Sequence, residues 1–205
     1  MKIHDISMPI HHDMMVYKDK EEKRPALEVT RDYPEGARES KIHLEMHTGT
    51  HVDAPMHMIE GGESIDKLDL YQVVTECRVV DLTYLDDSVK RVDLVDKDIK
   101  GGEFILLKTK NSFNERFNPE FIFLEKSGAE FLAEKRVKGV GIDSLGIERG
   151  QPVHETHITL FKNGIAIIEG LRLKDIPEGR YFLVAAPLYV VGAEGAPARA
   201  LLIEM

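Results

Sequence analysis

Three histidines, an aspartate and a proline fall within the eleven residues HTGTHVDAPMH, from His47 to His57. The whole chain has only nine histidines, so this density calls for a chemical reason. Thr48-Gly49-Thr50 is small and turn-forming, and it can bring His51 back toward His47. Asp53 follows His51 by two residues, on the same side of an extended chain. Two imidazoles and a carboxylate on a rigid turn make a facial set of N and O ligands, suited to zinc, manganese or ferrous iron. Pro55 stiffens the exit, and His57 lies four residues beyond Asp53. A lone histidine is usually a surface or hydrogen-bonded core residue; three so close together, with glycine and proline between them, are rare by chance.

Such a site needs ligands from elsewhere, and the other dense patch is HETHITLFKNGIAIIE, residues 154–169. Its first four residues look like a zincin fragment but are not one. A zincin helix spaces its histidines four apart, whereas His154 and His157 are three apart. On a helix the two could still face roughly one way. Glu169 sits among Ile167, Ile168 and Gly170, and a carboxylate in such an apolar run is costly to bury unless paired or metal-bound. A strand end in water would explain Glu169 equally well.

The elements that must position these residues are readable in outline. KIHLEMHT (41–48) alternates, with Ile42, Leu44 and Met46 on one face and His43, Glu45 and His47 on the other, predicting a strand that ends at His47. ECRVVDLT (76–83), EFILLKTK (103–110), VKGVGIDS (137–144) and GIAIIEGL (164–171) are short apolar runs that read as buried strands. RYFLVAAPLYVVGAEGAPARALLIEM at the end reads as two or three more, broken at Pro187 and at GAEGAP. Two helices are expected. SGAEFLAEKR (127–136) has Ser127 as N-cap and Glu130 as its capping-box partner, and PVHETHITLFKNG (152–164) opens on a proline and closes at Asn163-Gly164. The stretch 17–40 is polar, with Pro25 and Pro34, and reads as long surface loops around a short strand, a kind of segment that is often functional. The order of elements predicts an α/β fold, a single domain over 1–205 with a mixed β-sheet and few helices.

Composition narrows the function classes. At 205 residues, 42% hydrophobic and 31% charged, the chain suits one domain with a real core. A net charge of −9 supplies no basic footprint for nucleic acid or an anionic membrane. No segment approaches the roughly 18 apolar residues of a membrane span, and the N-terminus lacks the apolar stretch of a signal peptide. Cys77 is the one cysteine, so no intrachain disulfide can form; in CRVVDL it reads as a buried small residue rather than a nucleophile. A cytoplasmic protein is the expectation.

The stretch HTGTHVDAPMH resembles the H-x-G-T-H-x-D-x-P-x-H signature of the metal-dependent cyclase family, which includes bacterial kynurenine formamidases and isatin hydrolases. Every fixed position is filled. The family's second element, a helical histidine followed twelve residues later by a glutamate, is matched by His157 and Glu169. The resemblance covers nearly the whole chain and implies roles at these positions. His47 and His51 would bind one divalent ion and His157 a second, with Asp53 and Glu169 bridging the pair. The ions would be zinc, with manganese as the alternative. His57 would stay off the metals as the general acid/base. The fold would be a mixed β/β/α domain like a swivelling domain, in a homodimer or homotetramer. Kynurenine formamidases commonly carry an aromatic, often tryptophan, within a W-P-G-like stretch near residue 17. Here MMVYKDK offers Tyr17 for substrate binding, without the Pro-Gly.

The leading expectation is a binuclear metal-dependent hydrolase of an amide or formamide C–N bond, resembling kynurenine formamidase, which converts N-formylkynurenine to kynurenine and formate in tryptophan catabolism. Its partner would be a small-molecule amide. A second reading is a hydrolase of a cyclic amide such as isatin. A third is a metal-binding protein without turnover, against which the presence of an extra histidine at 57 argues.

Overall fold

Strands of β-branched and aromatic residues that are buried on both faces must be covered on both faces. The computed structural model describes residues 1–204 and shows how this is done. The strands are β1 Lys2–Asp5, β2 Ala26–Arg31, β3 Glu39–His43, β4 His51–Asp53, β5 Val74–Asp81, β6 Ser88–Val89, β7 Phe104–Lys108, β8 Phe123–Leu124, β9 Gly139–Ile142, β10 Ala166–Glu169, β11 Gly179–Val184, β12 Gly195–Pro197 and β13 Leu201–Glu204. The helices are α1 Leu70–Val73, α2 Arg91–Leu94, α3 Lys126–Lys135 and α4 Glu155–Lys162. Nine strands form one mixed sheet in the order β1-β13-β11-β5-β7-β9-β10-β4-β12. Neighbours β5, β7, β9 and β10 run parallel, and the strands outside them pair antiparallel. The expected α/β class, mixed sheet and scarcity of helices are all present.

Alternation along the central strands feeds two cores. Phe104 and Leu106 face one of them with Val79, Ile168, Leu183 and Leu202. Ile105 and Leu107 face the other with Val140, Ile142, Ile167 and the helical residues Leu132, Leu160 and Phe161. Helices α3 and α4 therefore cover one face, and the sheet curls around the core on the other. Among the described residues no helix is long and apolar enough to cross a membrane. Cys77 is buried in the first core, and burial pushes its thiol pKa up to about 12.

Several expectations need correction. The strand expected at 41–48 is β3, shifted to Glu39–His43, and it belongs to a separate two-stranded ribbon with β2. Every residue of that ribbon is exposed, so its apolar face finds no core within the chain. His47 lies in the turn beyond it rather than at a strand end. Helix α3 is capped by Glu125, whose carboxylate accepts from the Ser127 amide at 2.9 Å, so the cap lies two residues before the expected Ser127. Helix α4 begins after His154 and leaves Pro152 outside; its end at Asn163-Gly164 is as expected, with Gly164 at φ 67. The break expected at GAEGAP holds only in its first half. Gly195–Pro197 is the edge strand β12, a place where proline's missing N–H does no harm.

Candidate functional site

Strand pairing assembles the site. Strand β4 runs antiparallel to β10, with His51 opposite Glu169 and Asp53 opposite Ile167. Cross-strand partners share a face, as do residues two apart on one strand. His51, Asp53 and Glu169 therefore project together on the side of Ile167, which faces the helices, while Val52 and Ile168 fill the opposite core. Helix α4 packs over that side and brings His157 down onto the group. His47 arrives from the turn before β4, with its ring centroid 5.0 Å from that of His51. Gly49 makes this turn at φ 62, and Gly170 passes it so closely that a Cβ on Gly170 would lie 2.1 Å from the Gly49 carbonyl oxygen.

The five side chains form two trios that share Asp53. His47, His51 and Asp53 offer ligand atoms within 4.8 Å of one another, and so do Asp53, His157 and Glu169. Asp53 Oδ1 lies 2.9 Å from His47 Nδ1 and 3.3 Å from His51 Nε2, whereas Oδ2 lies 3.5 Å from His157 Nε2. Glu169 divides itself likewise, with Oε2 3.3 Å from His51 Nε2 and Oε1 3.4 Å from His157 Nε2. Each carboxylate thus turns one oxygen to His51 and the other to His157. Four of the five are almost fully buried: His51, Asp53, His157 and Glu169. The Glu169 alternative, a strand end in water, is ruled out.

Electrostatics explains how two carboxylates stay charged there. Burial would raise the Asp53 pKa, but His157, His47 and His51 hold it well below the usual carboxylate range. Burial and the Asp53 charge would raise Glu169, yet His157 and His51 bring it down to about 2. Burial would favour a neutral His51 ring, but Asp53 and Glu169 outweigh it and push its pKa up to about 10. His157 is also pushed well up against burial, by Asp53, Glu148 and Glu169. The site favours positive charge, which a divalent ion would supply in place of protons.

The donor set fits that ion. His51 Nδ1 lies 2.8 Å from the Gly49 carbonyl, so it carries the proton and leaves the Nε2 lone pair facing the carboxylates. His51 Nε2, His157 Nε2 and both oxygens of Asp53 are buried without a hydrogen-bond partner. Buried polar atoms are normally partnered, and orphans pointing at one spot are what a metal cradle requires. The backbone holds the frame, since the Ile147 amide donates to Glu169 Oε1 at 2.6 Å and Thr50 Oγ1 to the Gly170 carbonyl at 2.6 Å.

The family profile "Cyclase" matches residues 4–149 of this chain. This chain belongs to the cyclase family. Among similar proteins, the kynurenine formamidase of Bacillus cytotoxicus is 30% identical, over 97% of this chain and 95% of its own. A solved structure described as a "predicted metal-dependent hydrolase" from Bacillus stearothermophilus is 51% identical, with a TM-score of 0.91 over 98% of this chain and 97% of its own. Isatin hydrolase A from Ralstonia solanacearum, at 22% identity, shares the fold with a TM-score of 0.86 over 99% of this chain and 92% of its own.

In this cyclase-family chain, the two other expected site residues line the cavity above the cluster. His57 ends a 3₁₀ turn opened by Pro55. Its ring centroid is 4.0 Å from that of His47 and 5.8 Å from that of His157, yet it belongs to neither ligand trio. Burial pushes its pKa below the ordinary imidazole value. Tyr17 lies across a cavity of about 620 Å³ whose apolar walls include Val16, Met58, Leu145 and Pro152. Phe117 and Phe121 meet its ring edge-on, at 5.3 and 6.4 Å between centroids. Asp143, without an expected role, gathers the Thr109 and Ser112 hydroxyls at 2.6 and 2.7 Å and orders that turn. The Ser144 carbonyl accepts from the Gly170 amide at 2.7 Å, which pins the residue after Glu169. Glu148, to which the sequence assigns no role, is a buried carboxylate in the apolar stretch LGIE, as Glu169 is among isoleucines.

Proposed function

We propose that this protein hydrolyses the C–N bond of a small formamide or amide, in the manner named for its kynurenine formamidase relatives. One observation carries the reading: Asp53 and Glu169 are each shared between His51 and His157, with orphaned ligand atoms, while His57 stands beside them outside the ligand trios. That arrangement suits two divalent ions, zinc or manganese, held by His47, His51, Asp53, His157 and Glu169. Ions held there would lower the pKa of a bound water toward 7 and polarise a carbonyl. The residues do the rest. His57, kept neutral by burial, accepts a proton and returns it to the leaving nitrogen. Tyr17 and the apolar wall hold the aryl group.

The exposed ribbon supports a homo-oligomer, a dimer or tetramer. Leu27, Val29 and Ile42 are 70%, 43% and 53% exposed, and an isolated two-stranded ribbon is marginal by itself. Light scattering should give at least twice the chain mass of 23.2 kDa. A single buried cysteine suits a reducing compartment, and we assign the protein to the cytoplasm.

The test is the purified protein, metal-loaded, with N-formylkynurenine and simpler formyl anilides, measuring formate. Formate release supports the proposal. Ring-opening of isatin without formate release would move the substrate to the cyclic amides. Bound metal with neither activity would leave a metal-binding protein without turnover.

A further inference from the structure

Glu148 lies in the loop between β9 and α4, and its two oxygens do different things. Oε1 faces two imidazoles, His157 Nδ1 at 3.2 Å and His154 Nδ1 in closer contact. Oε2 accepts from the His157 backbone amide at 3.3 Å and from Gln151 Nε2 at 3.3 Å. Glu148, His154 and His157 stand close enough together to hold an ion of their own. The chemistry of imidazole argues against that use. A neutral ring has one lone pair and one N–H. His157 turns Nε2 to Asp53 and Glu169, so as a metal ligand there it carries its proton on Nδ1 and can only donate from that side. What stands at Nδ1 is an acceptor.

We propose that Glu148 is a positioning residue for His157, and that His154 holds Glu148 in that role. The inference rests on the reading of His157 as a metal ligand. By accepting a hydrogen bond from Nδ1–H, Glu148 selects the tautomer that leaves the Nε2 lone pair free, fixes the ring's rotation and strengthens it as a metal ligand. The Nδ1 contact is short but off the hydrogen-bond line. His154 is the brace. It occupies φ 52, ψ 44 at the N-cap of α4, a left-handed conformation uncommon for residues with a side chain. Such conformations persist where surrounding contacts impose them, and here His154 is held by its Nδ1 contact to Glu148 and by its amide, which donates to the Gln151 carbonyl at 3.2 Å. Both side chains line the cavity, with His154 half-exposed and Glu148 buried beneath.

Competitive chelator titration of zinc on metal-freed, reloaded protein tests this without using activity. Glu148→Gln should weaken zinc binding about 10- to 100-fold, the usual cost of losing such a partner, and Glu148→Asp should recover part of it. His154→Ala should lose less. In the double variant it should add nothing to Glu148→Gln, because it acts through the same carboxylate. Cobalt-substituted protein should show a shifted visible absorption band in Glu148→Gln. Thermal midpoints of the metal-free variants report whether they fold; if Glu148→Gln does not, Glu148→Asp and His154→Gln must show the same ordering. Zinc affinity unchanged in Glu148→Gln, or losses that multiply in the double variant, would overturn the proposal. A wild-type protein that binds no zinc would instead sink the metal reading beneath it.

Discussion

Replacing His57 by alanine separates proton transfer from metal binding within one short turn. The His57 ring lies 4.0 Å, centroid to centroid, from that of His47, itself a candidate ligand, so proximity alone does not assign its role. The carboxylate contacts do. His47, His51 and His157 each lie within 3.5 Å of an Asp53 oxygen, and no such contact is made by His57. Removing His57 should therefore leave metal content at the wild-type level. It should lower kcat by about 10²- to 10⁴-fold, the usual worth of a positioned acid/base, or roughly 2.7 to 5.4 kcal/mol of barrier. His51→Ala removes a buried ring that faces both carboxylates, so metal affinity and activity should fall together. The assay pairs elemental analysis of dialysed protein with formate release at saturating substrate. If His57→Ala loses metal as completely as His51→Ala, His57 is a ligand and the proton-transfer assignment is wrong.

Other outcomes follow from the same geometry. Elemental analysis should find about two ions per chain in the wild type and fewer in Glu169→Gln, whose carboxylate turns one oxygen to each imidazole; a wild-type limit of one ion, unchanged by Glu169→Gln, would refute a binuclear centre. Gly170→Ala should destabilise the fold by about 2–5 kcal/mol, from a left-handed backbone plus overpacking against the Gly49 carbonyl, and chemical denaturation of the metal-free protein would show it. Cys77, with its thiol pushed up to about 12, should resist a thiol reagent at pH 8 in the native state and react once unfolded; rapid native labelling would contradict its burial.

The grouping of candidate ligands at residues 47–57 is legible in the sequence because it is local. A glycine turn, a two-residue spacing and a proline are short-range constraints, and the structure places these residues as that spacing implies. Burial of Glu169 was readable as a possibility, since a carboxylate among isoleucines must be paired or exposed, but the residues by themselves could not choose between the two. Pairing of β4 with β10 makes the choice, by setting His51 opposite a glutamate 118 positions away. Alternation says which side chains share a face and is silent about what covers that face. For that reason the 41–48 pattern reads as a core strand, although Ile42 lies on an exposed ribbon and Leu44 and Met46 fall beyond it, half-buried. Likewise LGIE showed a carboxylate in an apolar stretch, while its contact with His157 depends on a loop folding over a helix start. Residue types and short spacings determined which ligands were available; long-range strand register and helix packing decided which carboxylates they share, because those contacts are set by the burial of two cores rather than by neighbours in the chain.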